Sequence, residues 1–332
     1  MTPLEDHPAE GPLVTVVIPL YNGGTYVGET LRSVLAQSFA RFEVIVVDDG
    51  STDDGPDVVR SFESDPRVRL VTGAHLGVAA ARNDGAGRAS TGTPYLAFLD
   101  ADDVWHPELL ATLVGALEGR ADAAGAFVLA EYIDADGAVL HAGDFPRHMR
   151  GRLDLRDGKL VSRDVHADVG PEHLFLSNLV YPPSCLLLRR IAFDAVGGFD
   201  DRFLAEDWEF VLRLAGRGPL VPVDRVMVGY RRHTANASGD RARNVRGARQ
   251  VWASVFHRPH ASVETRRRLR AVWRAHQSRT TARKVAEGRA LLARGRIIPG
   301  AGRIVDGLAH TMLRRPLRVW APSSRPDSDR GD

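Results

Sequence analysis

Four short apolar runs alternate with segments of helical periodicity in the first hundred residues, and this alternation limits the folds open to the chain. The runs are Val14 to Leu20, Phe42 to Val47, Val68 to Thr72 and Tyr95 to Leu99. Helices are predicted between them, over Tyr26 to Gln37 with Thr25 as the cap, from about Asp53 to Phe62, and over Val78 to Ala89. Near-continuous apolar strands are typical of a parallel sheet that is covered on both faces. The pattern therefore predicts a doubly wound, mainly parallel α/β sheet.

Polar side chains follow three of these runs, at the ends where doubly wound sheets bind their ligands. They are Tyr21 and Asn22, then Asp48 and Asp49, and then Asp100, Asp102 and Asp103. Because the carboxyl ends of parallel strands meet at one edge, we expect these three loops to converge. A dinucleotide-binding domain would carry G-x-G-x-x-G after the first run, but Gly23, Gly24 and Gly28 do not match that spacing. The sequence therefore disfavours a dinucleotide cofactor.

The stretch YLAFLDADDVW, from Tyr95 to Trp105, places three carboxylates within four residues. Such a cluster repels itself unless a positive charge lies in it. Mg²⁺ and Mn²⁺ take oxygen ligands of this kind, usually one or two carboxylates plus substrate phosphates. The alternative is a polar turn whose Asp side chains accept backbone hydrogen bonds before a helix that Pro107 opens. The residues alone leave both interpretations open.

The second part of the chain is less regular. Its predicted elements are a helix over Pro107 to Leu117, strands over Ala124 to Tyr132, Cys185 to Leu188 and Val226 to Tyr230, a short helix over Ile191 to Val196, and a turn at Asp134 to Gly137. Residues 144–170 are polar and weakly periodic, so we expect a long loop or a small lid there. Helical spacing from Trp208 to Ala215 puts Glu206 and Asp207 in the first turn of a helix. Beyond Ser238 the pattern is helical and basic to about Arg315.

The net charge of +2 conceals an asymmetry along the chain. Residues 241–320 hold 20 basic and three acidic side chains, so this segment carries +17 and the rest of the chain carries −15. From Arg266 to Arg274, apolar Leu269, Val272 and Trp273 lie among arginines. This pattern predicts either a helix that lies on an anionic membrane or an ordinary packed helix with solvated arginines. Nucleic-acid binding is not expected, because no recognised module is present.

Composition adds two expectations about the environment of the protein. The single cysteine, Cys185, excludes an intramolecular disulfide framework and fits a reducing compartment. The longest apolar run, Leu13 to Leu20, is far too short to cross a bilayer, and no signal region is visible. We therefore predict a cytoplasmic protein, with peripheral attachment to the inner face of the cell membrane as an extension of that prediction.

Seven segments, taken in order, resemble the inverting glycosyltransferases of family 2, which have the GT-A fold. They are VVIPLYN, LRSVLAQSF, VIVVDDGSTD, the ARN before Asp84, LAFLDADD, GGFDDRFLAEDWEFVLRL and YRRH. The resemblance covers about Leu13 to His233. The resemblance predicts a catalytic domain at 13–238, with nucleotide-binding (13–103) and acceptor (104–238) halves. The patterns outside the resemblance predict a disordered arm at 1–12, a basic helical extension at 239–321 and a disordered tail at 322–332.

The resemblance implies a set of residues that bind a nucleotide-sugar donor. They are Pro19, Tyr21, Asn22, Asp48, Asp49, Arg82, Asn83, Asp100 and Ala101. Asp49 would meet the base, which the match suggests is uracil, and Asp48 would lie nearer the ribose. Without the resemblance, Asp48 and Asp49 are more simply an Asx turn before a capped helix, and Arg82 and Asn83 a solvated helix face.

The resemblance also implies a divalent metal, Mn²⁺ or Mg²⁺, and a catalytic base. Asp100 and Asp102 would be the DxD pair, with Asp103 and His233 as further ligands. Asp207, with Glu206 beside it, would be the base that takes the proton from an acceptor hydroxyl during one inverting displacement. The alternatives are a surface histidine for His233 and simple capping for the acidic pair, since acidic residues in a first turn are stabilised by the helix dipole.

Two alternative functions stay open at this point. The first is sugar-1-phosphate nucleotidyl transfer on a related sheet, although its Gly-rich, Arg-containing loop after the first strand is missing. The second is a sugar-nucleotide-binding or catalytically inactive scaffold protein of the same fold, against which the intact Asp100, Asp102 and Asp207 argue. The expected acceptor is a hydroxyl of a glycan, a lipid-linked glycan or a small molecule, and its pocket is expected from the weakly patterned residues 132–185.

Overall fold

A computed structural model describes residues 11–73, 75–140, 153–157, 159–162, 164–175, 177–233, 241–257, 263–297, 299 and 301–305. The chain forms two compact units. The first lies within Met1–Leu153, Ser162–Asp201 and Glu206–Arg241, and the second within Asp154–Val161, Arg202–Ala205 and Ala242–Asp332. The predicted tail lies outside the described residues, as does nearly all of the predicted arm. The proposed division of the chain at residue 238 stays a prediction.

Strands and helices alternate through the first part of the chain, as predicted. The strands are β1 (Val14–Leu20), β2 (Phe42–Asp48), β3 (Val68–Thr72) and β4 (Tyr95–Phe98). The helices between them are α1 (Gly24–Leu35), α2 (Gly55–Arg60) and α3 (Val78–Gly87). Thr25 is not the cap of α1, because the helix already begins at Gly24 after Gly23.

The second part of the chain supplies the remaining elements. The strands are β5 (Val104–Trp105), β6 (Gly125–Ile133), β7 (Val139–Leu140), β8 (Leu153–Arg156), β9 (Lys159–Ser162), β10 (Leu186–Arg189) and β11 (Leu220–Arg231). The helices are α4 (Leu109–Leu117), α5 (Pro171–Leu174), α6 (Arg190–Val196), α7 (Glu206–Leu214), α8 (Arg241–His257) and α9 (Val263–Ala293). A 3₁₀ turn, Pro183–Cys185, precedes β10.

One large sheet organises the first unit, with the strand order β3-β2-β1-β4-β10-β6-β11-β5 and β7 beside β6. Strands β1 to β4 pair in parallel, and β11 is parallel to β6. Strand β10 runs antiparallel to both of its neighbours, β4 and β6. The predicted mainly parallel α/β sheet is therefore confirmed. The order places the carboxyl ends of β2, β1 and β4 side by side.

Close packing of α3 on the sheet follows from one glycine. A Cβ atom on Gly85 would lie 2.4 Å from Val17 Cγ1, a distance that real Cβ atoms essentially never show, and 3.1 Å from Val47 Cγ2, which is a tight contact. The absence of a side chain lets the helix backbone approach β1 and β2. Arg82, one turn earlier on the same helix, is thereby held almost fully buried beneath the loops that follow the strands.

Several strands in the second part of the chain differ from the predictions. A two-stranded sheet of β8 and β9 occupies part of the segment predicted to be a loop. Strand β11 is much longer than the predicted Val226 to Tyr230, because its register shifts between Pro222 and Val228 interrupt the regular alternation on which the prediction relied.

The second unit contains the basic helices α8 and α9. Leu269 and Val272 of α9 are buried, with 3% and 2% of their surface exposed, and the Trp252 and Trp273 rings pack with centroids 5.1 Å apart. These apolar groups are therefore used in packing. Of the helices within the described part of the chain, none is both long enough and apolar enough to cross a membrane.

Candidate active site

The loop after β1 is hydrogen-bonded to the loop after β2. Asn22, which has a left-handed backbone with φ of 50°, accepts a hydrogen bond from the Thr52 backbone N–H at 2.8 Å. Its own backbone N–H donates to Ser51 Oγ at 3.0 Å. Asp48 accepts from the Ser51 N–H at 2.9 Å, which is the Asx-type turn weighed as the alternative for this residue. The two loops thus form one wall of the site, beside Pro19 in β1.

Asp49 organises a second wall. This residue is 5% exposed, and its two carboxylate oxygens accept hydrogen bonds from the backbone N–H groups of Leu76 and Gly77 at 3.0 and 2.7 Å. Tyr21 is 56% exposed, and its ring centroid lies 5.3 Å from that of His75. An exposed aromatic face beside a buried carboxylate is suited to a planar ligand.

The buried guanidinium of Arg82 connects two acidic groups from distant parts of the chain. It donates to Asp100 Oδ1 at 2.6 Å and to Glu206 Oε1 at 3.1 Å. Burial alone would lower the pKa of Arg82, but the charges of Asp100 and Glu206 raise it above its usual value. Arg82 is therefore a fixed positive charge between the end of β4 and the start of α7.

Asp102 lies beside His233, which follows β11. Asp102 Oδ2 and His233 Nε2 are 2.9 Å apart, and the imidazole stacks on the Tyr26 ring with centroids 4.9 Å apart. Burial and the charge of Asp100 raise the pKa of Asp102, while the hydrogen bond with His233 opposes that increase. Both side chains are partly accessible, at 24% and 18% exposed, so a ligand can reach them.

Asp103 does not fit the predicted role of metal ligand. Asp103 is 0% exposed. Its Oδ1 accepts a hydrogen bond from the Arg231 backbone N–H at 3.1 Å, and its Oδ2 accepts one from the Ser184 hydroxyl. Burial, with the charges of Asp102 and Asp100, raises the pKa of Asp103 well above its usual value. This enclosure argues against the predicted role of metal ligand, and the two hydrogen bonds hold the turn that carries Asp103.

Arg231 was not singled out from the sequence, although it belongs to the YRRH segment. It is 0% exposed, and its guanidinium donates to the Asp102 carbonyl at 2.9 Å and to Glu29 Oε2 at 2.7 Å. Its backbone N–H also bonds Asp103. Thr30 Oγ1 lies 2.9 and 2.8 Å from the carbonyls of Ala101 and Asp103. These contacts fix the backbone that carries the acidic residues.

Asn83 makes contacts different from those expected of a diphosphate ligand. Its amide nitrogen donates to the Phe199 carbonyl at 2.8 Å, and its amide oxygen accepts from the Phe199 N–H at the same distance. Both ends of the amide are used in this pairing, so Asn83 joins α3 to the turn before α7. These contacts argue against the predicted donor-binding role of Asn83.

Asp207 lies in the first turn of α7, next to Glu206. Burial raises the pKa of Asp207 from 3.8 to about 7, and the charge of Glu206 adds to the increase. Its Oδ2 accepts a hydrogen bond from Asn178 Nδ2 at 3.1 Å. A carboxyl group with a pKa near neutrality can take up a proton at physiological pH.

The acidic cluster, Asp100, Asp102 and Asp103, supplies oxygen ligands of the kind that a divalent cation needs. Among the described residues, no group of three or more His, Cys, Asp or Glu side chains has the arrangement of a complete metal site. Asp102 and His233 nevertheless offer an accessible carboxylate and imidazole, with Asp100 nearby. This partial set fits Mg²⁺ or Mn²⁺, since such ions are commonly held by one or two carboxylates and complete their shell with substrate phosphates and water.

Comparison with known proteins shows family membership. The model of Glycosyl transferase family 2 matches residues 15–196. The chain is 33% identical, over 304 residues, to the validoxylamine A glucosyltransferase of Streptomyces hygroscopicus subsp. jinggangensis, and the alignment covers 81% of this chain and 69% of that protein.

Solved structures show the same fold. A mannosyltransferase from Pyrobaculum calidifontis, solved in complex with GDP-Man and Mn²⁺, matches with a TM-score of 0.63 and 22% identity over 93% of this chain and 83% of its own. Residues 1–349 of S. aureus TarS, in complex with UDP-GlcNAc, match with a TM-score of 0.60 and 16% identity over 91% and 81%. At these identities the likeness shows the fold alone, and the predicted GT-A fold is confirmed.

Proposed function

The chain belongs to glycosyltransferase family 2 and is a glycosyltransferase, and from this premise we propose that it moves a sugar from a nucleotide-sugar donor to an acceptor hydroxyl. The observation that carries the proposal is Arg82, whose buried guanidinium bonds Asp100 after β4 and Glu206 at the start of α7. This contact joins the acidic cluster after β4 to the acidic pair, Glu206 and Asp207. Donor binding and proton removal can therefore take place side by side.

We propose a UDP-sugar as the donor. The support is the match of Tyr21 and Asp49 to uracil-pocket positions, together with the exposed Tyr21 ring beside the 75–77 loop that Asp49 holds. The two structural neighbours were solved with different nucleotides, GDP-Man and UDP-GlcNAc, and so favour the donor class without choosing the base. Asn22 and Asp48 shape the wall formed by the loops after β1 and β2, where the ribose would lie.

We propose that Asp100, Asp102 and His233 hold Mn²⁺ or Mg²⁺. The cation, when bound, stabilises the negative charge that develops on the departing nucleoside diphosphate. Arg82 acts separately, because it keeps a fixed positive charge against Asp100 and so reduces the repulsion between neighbouring carboxylates. Arg231 and Thr30 hold the backbone of the cluster in place.

We propose Asp207 as the general base. Its carboxylate would take the proton of the acceptor hydroxyl while the hydroxyl oxygen forms a bond to the anomeric carbon and the bond from that carbon to the diphosphate oxygen breaks. One displacement of this kind inverts the configuration. Glu206, which Arg82 holds, raises the proton affinity of Asp207 through its charge. A base whose pKa lies near the working pH is the most effective.

A donor panel tests the proposal. The purified chain is incubated with UDP-glucose, UDP-N-acetylglucosamine or GDP-mannose, with Mn²⁺, with Mg²⁺ or with a chelator, and release of nucleoside diphosphate is measured. We expect metal-dependent turnover of a UDP-sugar. Asp207→Asn should lose that turnover, and Glu118→Gln, which changes an exposed acidic residue after α4, should retain it.

Each alternative function has its own outcome in the same experiment. Absence of turnover with every donor would favour a scaffold, and a binding measurement would show whether that scaffold takes up nucleotide sugars. Release of sugar 1-phosphate on addition of pyrophosphate would favour nucleotidyl transfer. Turnover of GDP-mannose alone would reject uridine and leave the glycosyltransferase in place.

A further inference from the structure

Asn178 contacts the proposed base from a segment that no sequence motif marked. Its Nδ2 lies 3.1 Å from Asp207 Oδ2, and its Oδ1 accepts a hydrogen bond from the Val180 backbone N–H at 3.2 Å. The second contact settles the orientation of the amide, because only the oxygen can accept from an N–H group. The NH₂ group must therefore face Asp207.

The segment that carries Asn178 is anchored on both sides of the contact. Leu179 and Val180 are buried, with 2% and 0% of their surface exposed. Trp208, the residue after Asp207, donates from Nε1 to the carbonyl of Leu174 at the end of α5, at 2.6 Å. Two neighbouring residues of α7 are thus bonded to the same stretch of chain, which restricts movement of one against the other.

We infer that Asn178 is a positioning residue for the transfer reaction: its amide fixes the rotation of the Asp207 carboxylate and stabilises its ionised form. This inference rests on the proposed role of Asp207. A hydrogen bond donated to Oδ2 limits rotation about the Cβ–Cγ bond and aims the carboxylate for proton removal. Small errors in the placement of a catalytic group lower the rate by as much as about 10²-fold.

Asn178 is an uncharged donor in a site where charged groups act on the base from several elements. Glu206 on α7 and Asp100 after β4 favour the protonated form of Asp207, and Arg82 on α3 favours the ionised form. A donated hydrogen bond acts in the same direction as Arg82, since it stabilises the carboxylate. Because Asn178 is uncharged, it does so without attracting the negatively charged nucleotide sugar. A further positive charge would attract that nucleotide sugar.

Two variants of the full chain separate positioning from a structural role. Asn178→Asp keeps the shape and the acceptor for the Val180 N–H, but it replaces the donor with an oxygen that faces Asp207. Asn178→Ala removes both contacts. Steady-state turnover is measured at pH 8.5 with the panel donor that the parent turns over fastest, and nucleoside diphosphate binding is measured by calorimetry.

We expect both variants to lose kcat by about tenfold or more, with KM and nucleotide binding within about twofold of the parent. Near-parental kcat for Asn178→Asp would overturn the inference, because the acceptor contact alone would then suffice. Near-parental kcat for Asn178→Ala would overturn it as well. The proposed role of Asp207 as the base is rejected by a different result, which is turnover of Asp207→Asn at the parental rate.

Discussion

Burial separates three neighbouring carboxylates that look alike in sequence. Asp102 is partly accessible, whereas Asp103 is enclosed and hydrogen-bonded to Ser184 and to the Arg231 backbone. We predict that Asp103→Ala lowers the free energy of unfolding by about 2–4 kcal/mol, because it leaves buried donors without an acceptor. Asp102→Ala should cost much less stability and should lose metal-dependent UDP binding.

Chemical denaturation and calorimetry on the two variants check this prediction. Asp103→Asn is the matched control, since an amide can still accept from the Arg231 N–H and can donate to Ser184. It should be milder than alanine. Metal-dependent UDP binding that survives in Asp102→Ala at parental affinity would reject the proposed metal ligands.

The raised pKa of Asp207 predicts a pH dependence of stability. Between about pH 4 and 7 the folded chain holds a proton on Asp207 that the unfolded chain has released. The folded state binds more protons in this window, so the free energy of unfolding falls as the pH rises through it. One pKa unit corresponds to about 1.4 kcal/mol. Because Asp207 is partly accessible, we expect its titration to change the free energy of unfolding by only about 1–2 kcal/mol.

Asp207→Asn cannot titrate and tests this dependence directly. Urea denaturation at several pH values, without donor or metal, should show a variant whose stability relative to the parent increases from pH 4 to pH 7 and is constant above pH 8. A parallel pH dependence in the two proteins would mean that Asp207 titrates normally.

At the scale of single elements, α3 must approach the sheet closely to place Arg82. Gly85→Ala would put a methyl group 2.4 Å from Val17 Cγ1, and we predict a loss of about 1–3 kcal/mol of stability from overpacking. Turnover should fall as well, because the helix that carries Arg82 must shift. Gly87→Ala on the same helix has nothing within 4 Å and should be neutral or stabilising by up to about 1 kcal/mol. Thermal denaturation of the pair is the measurement, and equal losses would reject the close-packing account.

Elements were predictable where the local pattern matched the environment. Strands β1 to β4 are nearly continuous apolar runs, and their buried position follows from that composition. The site was predictable only as a set of loops that converge. The enclosure of Asp103 and the contacts of Arg231 and Asn178 depend on residues from 29 to 231, and spacing along the chain contains no information about such distant partners.

For the molecule as a whole, the charge asymmetry predicts electrostatic contact with anionic membranes. Residues 241–320 carry +17, and Arg267, Arg268 and Arg270 are exposed. Insertion is not expected, because Leu269 and Val272 are buried. We predict that the full chain sediments with phosphatidylglycerol vesicles at low salt and not with phosphatidylcholine. Release should be complete near 1 M salt, where the Debye length is about 3 Å.

Replacing Arg267, Arg268 and Arg270 with glutamine should weaken this binding. The matched control replaces the exposed Arg60, Arg88 and Arg217, which lie in the first unit, and should leave it unchanged. Binding that resists 1 M salt would show that apolar side chains enter the bilayer. Equal binding to both kinds of vesicle would reject the electrostatic account.

Asp207 is proposed to remove the acceptor proton within a site that also binds the donor. Its most direct test is the single-turnover transfer rate of Asp207→Asn with saturating donor, measured beside UDP binding by calorimetry. Asparagine keeps the shape and can still accept a backbone hydrogen bond in the first turn of α7, so we predict a loss of about 10²- to 10⁴-fold in rate with unchanged nucleotide affinity. A transfer rate close to that of the parent would reject the proposed base and remove Asp207 from the mechanism.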